Sequence, residues 1–120
     1  MKKALIGLAL MLGCNTTPKY DTTAAKLQLA RCLVDKGAAM YGAEGCGYCN
    51  IEKAEFGEAW KILEPYYVEC NDDNMARCIA EATLNNRLGY PTWKFKNGKM
   101  VRGYSSNFLE VLANESGCDN

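Results

Sequence analysis

The sequence predicts an α/β protein in which helices flank a mixed central sheet. Segments with helical and strand patterns alternate along the chain, and the last two strands close as a hairpin around Asn97-Gly98, a strong turn signal. The chain has 120 residues, of which 48% are apolar, so it can bury the core of one compact domain. A C-x-x-C pair, Cys46 and Cys49, opens the second predicted helix.

The spacing of apolar side chains sets the predicted elements. Helices are expected over residues 24–36, 46–63, 72–85 and from about residue 105 onward. Short apolar runs predict strands at residues 38–43, 66–70, 91–95 and 100–104. The expected helix N-caps are Thr22 or Thr23, Asp72 or Asp73, and Ser105 or Ser106. Gly37 is expected to end the first helix in a left-handed turn, and Pro65 is expected to stop the second.

The N-terminus has the pattern of a secretory leader. A short basic start is followed by the apolar run 4–12, which predicts a signal peptide over residues 1–13. The small residue before Cys14 resembles a bacterial lipoprotein cleavage site, so Cys14 is the expected lipidation site and residues 14–23 the expected tether. An ordinary cleaved leader with a stray cysteine is the alternative. The folded domain is expected over residues 24–120, extracytoplasmic, in the periplasm or on the outer face of the membrane.

The amino-acid composition excludes several kinds of functional site. Basic and acidic side chains number 14 each, so no basic face for nucleic acid is expected. There is no histidine, which excludes histidine-based acid–base catalysis and His-ligated metals. Seven cysteines in a chain of this size favour export to an oxidising compartment. No cofactor and no metal are expected.

The C-x-x-C pair gives two identical side chains different predicted roles. Cys46 lies at the start of a helix, where free N–H groups and the helix dipole stabilise a thiolate, so it is the expected nucleophile. Cys49, one turn later on the apolar stripe, is the expected resolving thiol. Gly47 and Tyr48 lie between them and are expected to contact the substrate.

A second motif is expected to form the rest of the substrate site. Pro91 stands at the entrance of a strand, where a cis peptide bond after Tyr90 would hold a backbone edge beside the sulfurs. An extended client segment could pair with that edge as an added strand. A trans proline that merely opens an edge strand is the alternative.

These motifs together resemble those of thioredoxin-like domains paired with vitamin K epoxide reductase homologues. The resemblance covers about residues 26–118 and is carried by residues 41–44, 46–49, 56–58, 67–70, 89–93 and 97–99. It implies a thioredoxin-like fold and thiol–disulfide exchange on the extracytoplasmic side. The chain departs from the family at Gly45 and in the Gly47-Tyr48 dipeptide, which is similar to that of periplasmic disulfide isomerases. Met40 also replaces the buried acid of thioredoxins.

The resemblance further implies two structural disulfides. It pairs Cys32 with Cys118 and Cys70 with Cys78. Spacing alone leaves all three connectivities of these four cysteines open, and free buried thiols are the alternative.

The expected activity is that of a thiol oxidase that exchanges disulfides with protein clients, because periplasmic isomerases typically carry a separate dimerisation domain, for which 120 residues leave no room. The protein would be a monomer, held at the membrane by its lipid and recycled by a quinone-linked membrane partner resembling vitamin K epoxide reductase. Disulfide isomerase and reductase are the alternatives within this class. From other classes, the protein could bind zinc through Cys46, Cys49, Cys70 and Cys78, or be a purely structural disulfide-bonded lipoprotein.

Overall fold

The computed structural model describes residues 19–119. The predicted signal peptide and the predicted lipidation site Cys14 lie outside the described residues. Among residues 19–119, no helix is both long and apolar enough to span a bilayer.

Residues 19–119 fold into five α-helices and six strands. The helices are α1 (Thr23–Asp35), α2 (Gly47–Phe56), α3 (Trp60–Leu63), α4 (Met75–Ala82) and α5 (Phe108–Ser116). The strands are β1 (Ala39–Gly42), β2 (Tyr67–Glu69), β3 (Thr83–Leu84), β4 (Arg87–Leu88), β5 (Thr92–Lys94) and β6 (Met100–Arg102).

A four-stranded mixed sheet in the order β2-β1-β5-β6 forms the centre of the fold. Strand β1 runs parallel to β2 and antiparallel to β5, so Met40 faces Tyr67 on one side and Trp93 on the other. Strands β5 and β6 form the hairpin around Asn97-Gly98. The mixed α/β sheet with flanking helices confirms the predicted fold class, and the architecture is thioredoxin-like.

The two faces of the sheet carry separate cores, because successive side chains of a strand point to opposite faces. Met40 of β1 belongs to the larger core, which includes Leu33 of α1, Phe56 of α2 and Leu112 of α5. Tyr41 belongs to the smaller core, together with buried residues of α4. The sheet is therefore covered by helices on both faces.

The first helix begins and ends as predicted. Thr22 is its N-cap, and the Oγ1 of this residue accepts a hydrogen bond from the Ala25 N–H at 3.1 Å. Gly37 follows the helix with φ of 72°. Tyr20, within the segment predicted as a tether, packs against the larger core, so residues 19–23 lie on the domain.

The second predicted helix is interrupted. Gly57, with φ of 60° and ψ of −136°, ends α2, and a 3₁₀ turn over Gly57–Ala59 leads into α3. A backbone with this φ leaves the helical region, which glycine tolerates without steric cost. Pro65 lies inside a second 3₁₀ turn, Glu64–Tyr66, that leads into β2.

The prediction of a helix over residues 72–85 was wrong at both ends. Helix α4 begins after Asn74, because residues 71–74 form a turn closed by Asn74 Oδ1, which accepts from the Asn71 N–H at 2.8 Å. Its C-terminal part is replaced by the hairpin of β3 and β4, whose turn residues Asn85 and Asn86 have φ of 55° and 66°. Asparagine tolerates this left-handed conformation, which is typical of two-residue hairpin turns.

The predicted cap of the last helix was also wrong. Helix α5 begins after Asn107 rather than at Ser105 or Ser106, and Asn107 makes no capping hydrogen bond through its side chain. The Ser105 hydroxyl instead donates to Asn107 Oδ1 at 3.0 Å.

Candidate redox site

The C-x-x-C pair lies where β1 leads into α2. Cys46 and Cys49 form a disulfide with their Cα atoms 5.3 Å apart. Cys46 is the N-cap of α2, and its Sγ accepts a hydrogen bond from the Cys49 N–H at 3.1 Å. Cys46 is partly exposed, whereas Cys49 is only 1% exposed. One sulfur is therefore open to a substrate at the helix N-terminus and the other is enclosed.

This geometry differentiates the two sulfurs chemically. The Cys49 N–H that now contacts Cys46 Sγ would donate to a Cys46 thiolate after reduction, and the dipole of α2 would add to that stabilisation. Cys49 has no such terminal position and lies within the larger core. A buried thiol is harder to ionise, since burial disfavours its charged form.

The sulfur of Cys49 lies against the end of β1. A Cβ built on Gly42 would stand 3.0 Å from Cys49 Sγ and 2.5 Å from the hydroxyl oxygen of Tyr67. The Tyr67 hydroxyl donates to Glu69 Oε1 at 2.6 Å, and the Lys53 ammonium lies 3.7 Å from the Tyr67 ring centroid. Burial, followed by this hydrogen bond to Glu69, raises the pKa of Tyr67 well above its usual range. The Tyr67 hydroxyl is therefore a neutral neighbour of the buried sulfur.

An aromatic and apolar surface borders the partly exposed sulfur. The Tyr48 side chain is 59% exposed and stacks on Tyr104, with ring centroids 5.6 Å apart. Ile51, on the next turn of α2, is 42% exposed. The Tyr104 hydroxyl donates to Glu55 Oε2 at 2.5 Å and thereby fixes the stacked pair on the helix.

The predicted substrate-binding residues of the second motif lie at the neighbouring strand end. The Tyr90–Pro91 peptide bond is cis, and Pro91 is buried. Tyr41 pairs with Thr92, so the antiparallel register continued by one residue sets Pro91 across from Gly42. The two motifs thus meet at the end of β1, next to the enclosed sulfur of Cys49.

Arg102 holds the segment before Pro91 in place. Its guanidinium donates to Thr92 Oγ1 at 2.7 Å and to the carbonyl oxygens of Ala82 and Arg87 at 2.8 and 3.0 Å. Thr92 Oγ1 in turn donates to the Gly89 carbonyl at 2.7 Å. This network joins β6 to the β3–β4 hairpin and to the entrance of β5.

Glu52 is a buried residue that the sequence analysis missed. It is fully buried, and its Oε1 accepts a hydrogen bond from the Trp93 indole N–H at 2.9 Å. Burial raises the pKa of the Glu52 carboxyl to about 7; the Trp93 hydrogen bond lowers the value and the nearby Glu55 carboxylate raises it further. The available signal was its position on the buried stripe of α2, between Cys49 and Phe56.

The other four cysteines within residues 19–119 form two more disulfides. Cys32 of α1 is bonded to Cys118, 86 positions later, and Cys70 after β2 is bonded to Cys78 of α4. All four sulfurs of the alternative zinc site are thus engaged in disulfides, and residues 19–119 contain no group of three or more His, Cys, Asp or Glu side chains placed to hold a metal ion.

The sequence is similar to that of a known protein. The thiol-disulfide oxidoreductase LTO1 of Arabidopsis thaliana is 38% identical to the chain over 84 residues. The match covers 64% of this chain and 21% of the relative, so the chain spans about a fifth of the length of that protein. No protein-family model matches the chain. The chain is thus similar to one part of a protein that is named for thiol-disulfide exchange.

Proposed function

We propose that the protein is a thiol-disulfide oxidoreductase that exchanges disulfides with protein clients through Cys46 and Cys49. The observation that carries this proposal is the asymmetric disulfide at the start of α2, with Cys46 partly exposed at the helix N-terminus and Cys49 buried one turn later. The similarity to a named thiol-disulfide oxidoreductase supports the same chemistry.

The exchange follows from the two environments. A client thiolate attacks Cys46 Sγ; a client–Cys46 disulfide forms, the Cys46–Cys49 bond breaks, and Cys49 leaves as a thiolate that takes up a proton. A second client thiolate then attacks the client sulfur of the mixed disulfide, so the client gains a disulfide and Cys46 leaves as a thiolate. The client loses two electrons and the Cys46–Cys49 pair gains them. The same steps run backward reduce a client.

Client docking is assigned to the surface around Cys46. Tyr48 offers an exposed aromatic face, and Gly47, with no heavy atom within 4 Å of its Cβ position, leaves room for a passing chain. Tyr90 and Pro91 lie at the strand end across from Gly42 and would complete the contact. An extended segment bound there would present its cysteine to Cys46.

The finer assignment is a thiol oxidase outside the cytoplasm, anchored by a lipid at Cys14 and recycled by a quinone-linked membrane partner that resembles vitamin K epoxide reductase. Two disulfides besides the redox pair support an oxidising compartment. The leader pattern supports export, and the sequence resemblance supports the partner.

The reduction potential of the Cys46–Cys49 pair tests the proposed disulfide exchange and also its proposed direction, the oxidation of clients. The protein is equilibrated with glutathione buffers and the fraction of reduced pair is read by thiol alkylation and mass spectrometry. A value near −120 mV is typical of a strong oxidant, and a value near −270 mV is typical of a reductant. Because we propose an oxidase, we expect a value of about −120 mV. A value near −270 mV would mean that the protein reduces its clients instead of oxidising them. A pair that transfers no electrons to or from a reduced, unfolded client would refute the exchange function itself.

A further inference from the structure

Glu52 is the one carboxyl that is fully buried among residues 19–119. Only one of its two carboxyl oxygens has a hydrogen-bond partner. Oε1 accepts a hydrogen bond from the Trp93 indole, whereas the buried Oε2 has no partner in the described part of the chain. A buried polar atom without a partner costs stability, since it has lost its hydration without compensation. A fully apolar side chain at this position of α2 would avoid that cost.

The position of Glu52 relates it to the enclosed sulfur. It follows Cys49 by three residues on the buried face of α2, and side chains at this helical spacing have Cβ atoms about 5–6 Å apart. Cys49 and Trp93 belong to the same core, so the indole that holds Oε1 packs in the core that encloses the sulfur. Cys49 and Glu52 are therefore both buried on one face of α2, where a proton could pass between them without entering bulk water.

The surroundings of Glu52 bring the pKa of its carboxyl close to neutral pH. Strand β5 contributes the neutral Trp93 indole. Glu55, on the same helix, and Tyr104, on the segment after β6, are the other titratable groups coupled to it, and these two are hydrogen-bonded to each other. With the pKa of the carboxyl raised to about 7 by burial, both protonation states are populated at neutral pH.

We propose that Glu52 exchanges a proton with Cys49 each time the Cys46–Cys49 disulfide opens or closes, an inference that rests on the proposed function. On opening, the Cys49 thiolate that leaves Cys46 takes the proton of the Glu52 carboxyl, which becomes a carboxylate. On closing, the carboxylate accepts the Cys49 thiol proton, the thiolate attacks Cys46 Sγ, and the mixed disulfide releases the client thiolate. One negative charge is shared between the two groups, because two buried like charges disfavour each other.

The variant Glu52→Gln tests this assignment. It keeps the size of the side chain and an oxygen for the Trp93 indole, but it cannot carry the proton. The rate at which Cys49 resolves a preformed mixed disulfide between Cys46 and a small aromatic thiol is measured from pH 5 to 9. We expect a slowing of about a hundredfold at pH 7, the lower end of what a positioned acid–base group contributes, and loss of the inflection near pH 7.

Glu55→Gln is the matched control, because Glu55 is a partly buried carboxyl on the same helix that bonds Tyr104 instead of facing the core. It should retain an inflection, displaced to a lower pH because the Glu55 carboxylate, which raises the pKa of Glu52, has been removed. An unchanged pH profile in Glu52→Gln would overturn the proposal, as would an equal loss of the inflection in Glu55→Gln.

A second measurement needs no variant and so does not depend on how Glu52→Gln folds. The Glu52 carboxyl is titrated by carbon-13 NMR in the oxidised and in the reduced wild-type protein. We expect one step in the oxidised form and two coupled steps, shared with Cys49, in the reduced form. The same single step in both forms would refute the coupling. A wild-type protein that shows this coupling but exchanges no disulfides would instead refute the proposed function.

Discussion

The sulfur of Cys49 rests directly on the backbone of Gly42, at the point where β1 ends. A Cβ at this glycine would come within 3.0 Å of that sulfur and within 2.5 Å of the Tyr67 hydroxyl oxygen. Real Cβ atoms essentially never come within 3.0 Å of another heavy atom, as the Tyr67 contact would require, and a contact of 3.0 Å with the sulfur is tighter than most real ones. The absence of a side chain at Gly42 is therefore what lets the redox helix dock on the sheet.

We expect Gly42→Ala to destabilise the oxidised protein by roughly 1–3 kcal/mol, the range for overpacking a filled core. The free energy of unfolding in denaturant measures this. Adding Tyr67→Phe should restore only part of the loss, since a ring carbon at 2.9 Å and the sulfur remain in the way. Gly47→Ala is the control: no atom lies within 4 Å of its Cβ position, and a loss as large as that of Gly42→Ala would contradict the steric explanation.

The two cysteines should react at different rates in the reduced protein. Cys46, at the N-terminus of α2, should be alkylated at least about tenfold faster than Cys49 at neutral pH, because the helix N-terminus stabilises its thiolate whereas Cys49 is buried. Peptide mapping after a brief iodoacetamide pulse measures this. Cys49→Ser should then accumulate mixed disulfides with clients and Cys46→Ser should not. Faster labelling of Cys49 would reverse the assigned roles.

Stability should depend on pH through Glu52. Its pKa in the folded protein is about 7, against 4.5 for the free side chain, so between these values the folded state holds a proton that the unfolded chain has released. The free energy of unfolding should therefore fall as pH rises from 4.5 to 7, by at most about 1.4 kcal/mol per pH unit. The benefit of protonation is fully present below pH 4.5.

This pH effect is isolated by subtracting the curve of Glu52→Gln from that of the wild type, both with their disulfides closed. Glu52→Gln should be the more stable of the two at pH 8, where the wild type must bury a carboxylate. A difference between the two proteins that stays constant from pH 5 to 8 would mean that the folded and unfolded states bind the same number of protons at Glu52, so that its pKa is not raised by folding.

Arg102 should govern the order of the segment that leads to Pro91. Arg102→Met removes three hydrogen bonds, to Thr92 Oγ1 and to the carbonyl oxygens of Ala82 and Arg87, and we expect it to cost about 1–3 kcal/mol. Amide hydrogen exchange should accelerate over residues 83–92.

Arg77→Met is the matched control for Arg102→Met. Arg77 pairs with Glu81 at 3.1 Å, but its side chain is 57% exposed, so less than about 1 kcal/mol should be lost. Equal effects of the two variants would show that the Arg102 contacts are not specific.

The four strands of the central sheet, the first helix and the position of the C-x-x-C pair could be predicted because each depends on a local pattern. The interruptions of the predicted helices could not be found in this way. Gly57 ends α2 because its backbone adopts a φ of 60°, which the helical spacing of apolar residues does not reveal. The β3–β4 hairpin was hidden for a similar reason, since Asn85 and Asn86 lie at the end of a stretch with helical periodicity. Their paired asparagines were a usable turn signal.

The candidate site was predicted unevenly. Cys46 and Cys49 are marked by their spacing, and Pro91 by its place before a strand. Glu52 was overlooked because a carboxylate in a helix is usually exposed, and only its contact with Trp93, 41 positions away, places it inside the core. Long-range pairs of this kind carry no local signal.

The Cys32–Cys118 bridge also determines how the molecule would carry a mechanical load. If tension were applied between Lys19 and Asp119, the force would pass from α1 through the disulfide to the last residues, and the chain between positions 33 and 117 would lie outside the load path. Only the short segments outside the bridge could be stretched while it is closed. The sheet and the redox helix would thus be shielded from traction on the chain ends, and reduction of this one bond would remove the shielding.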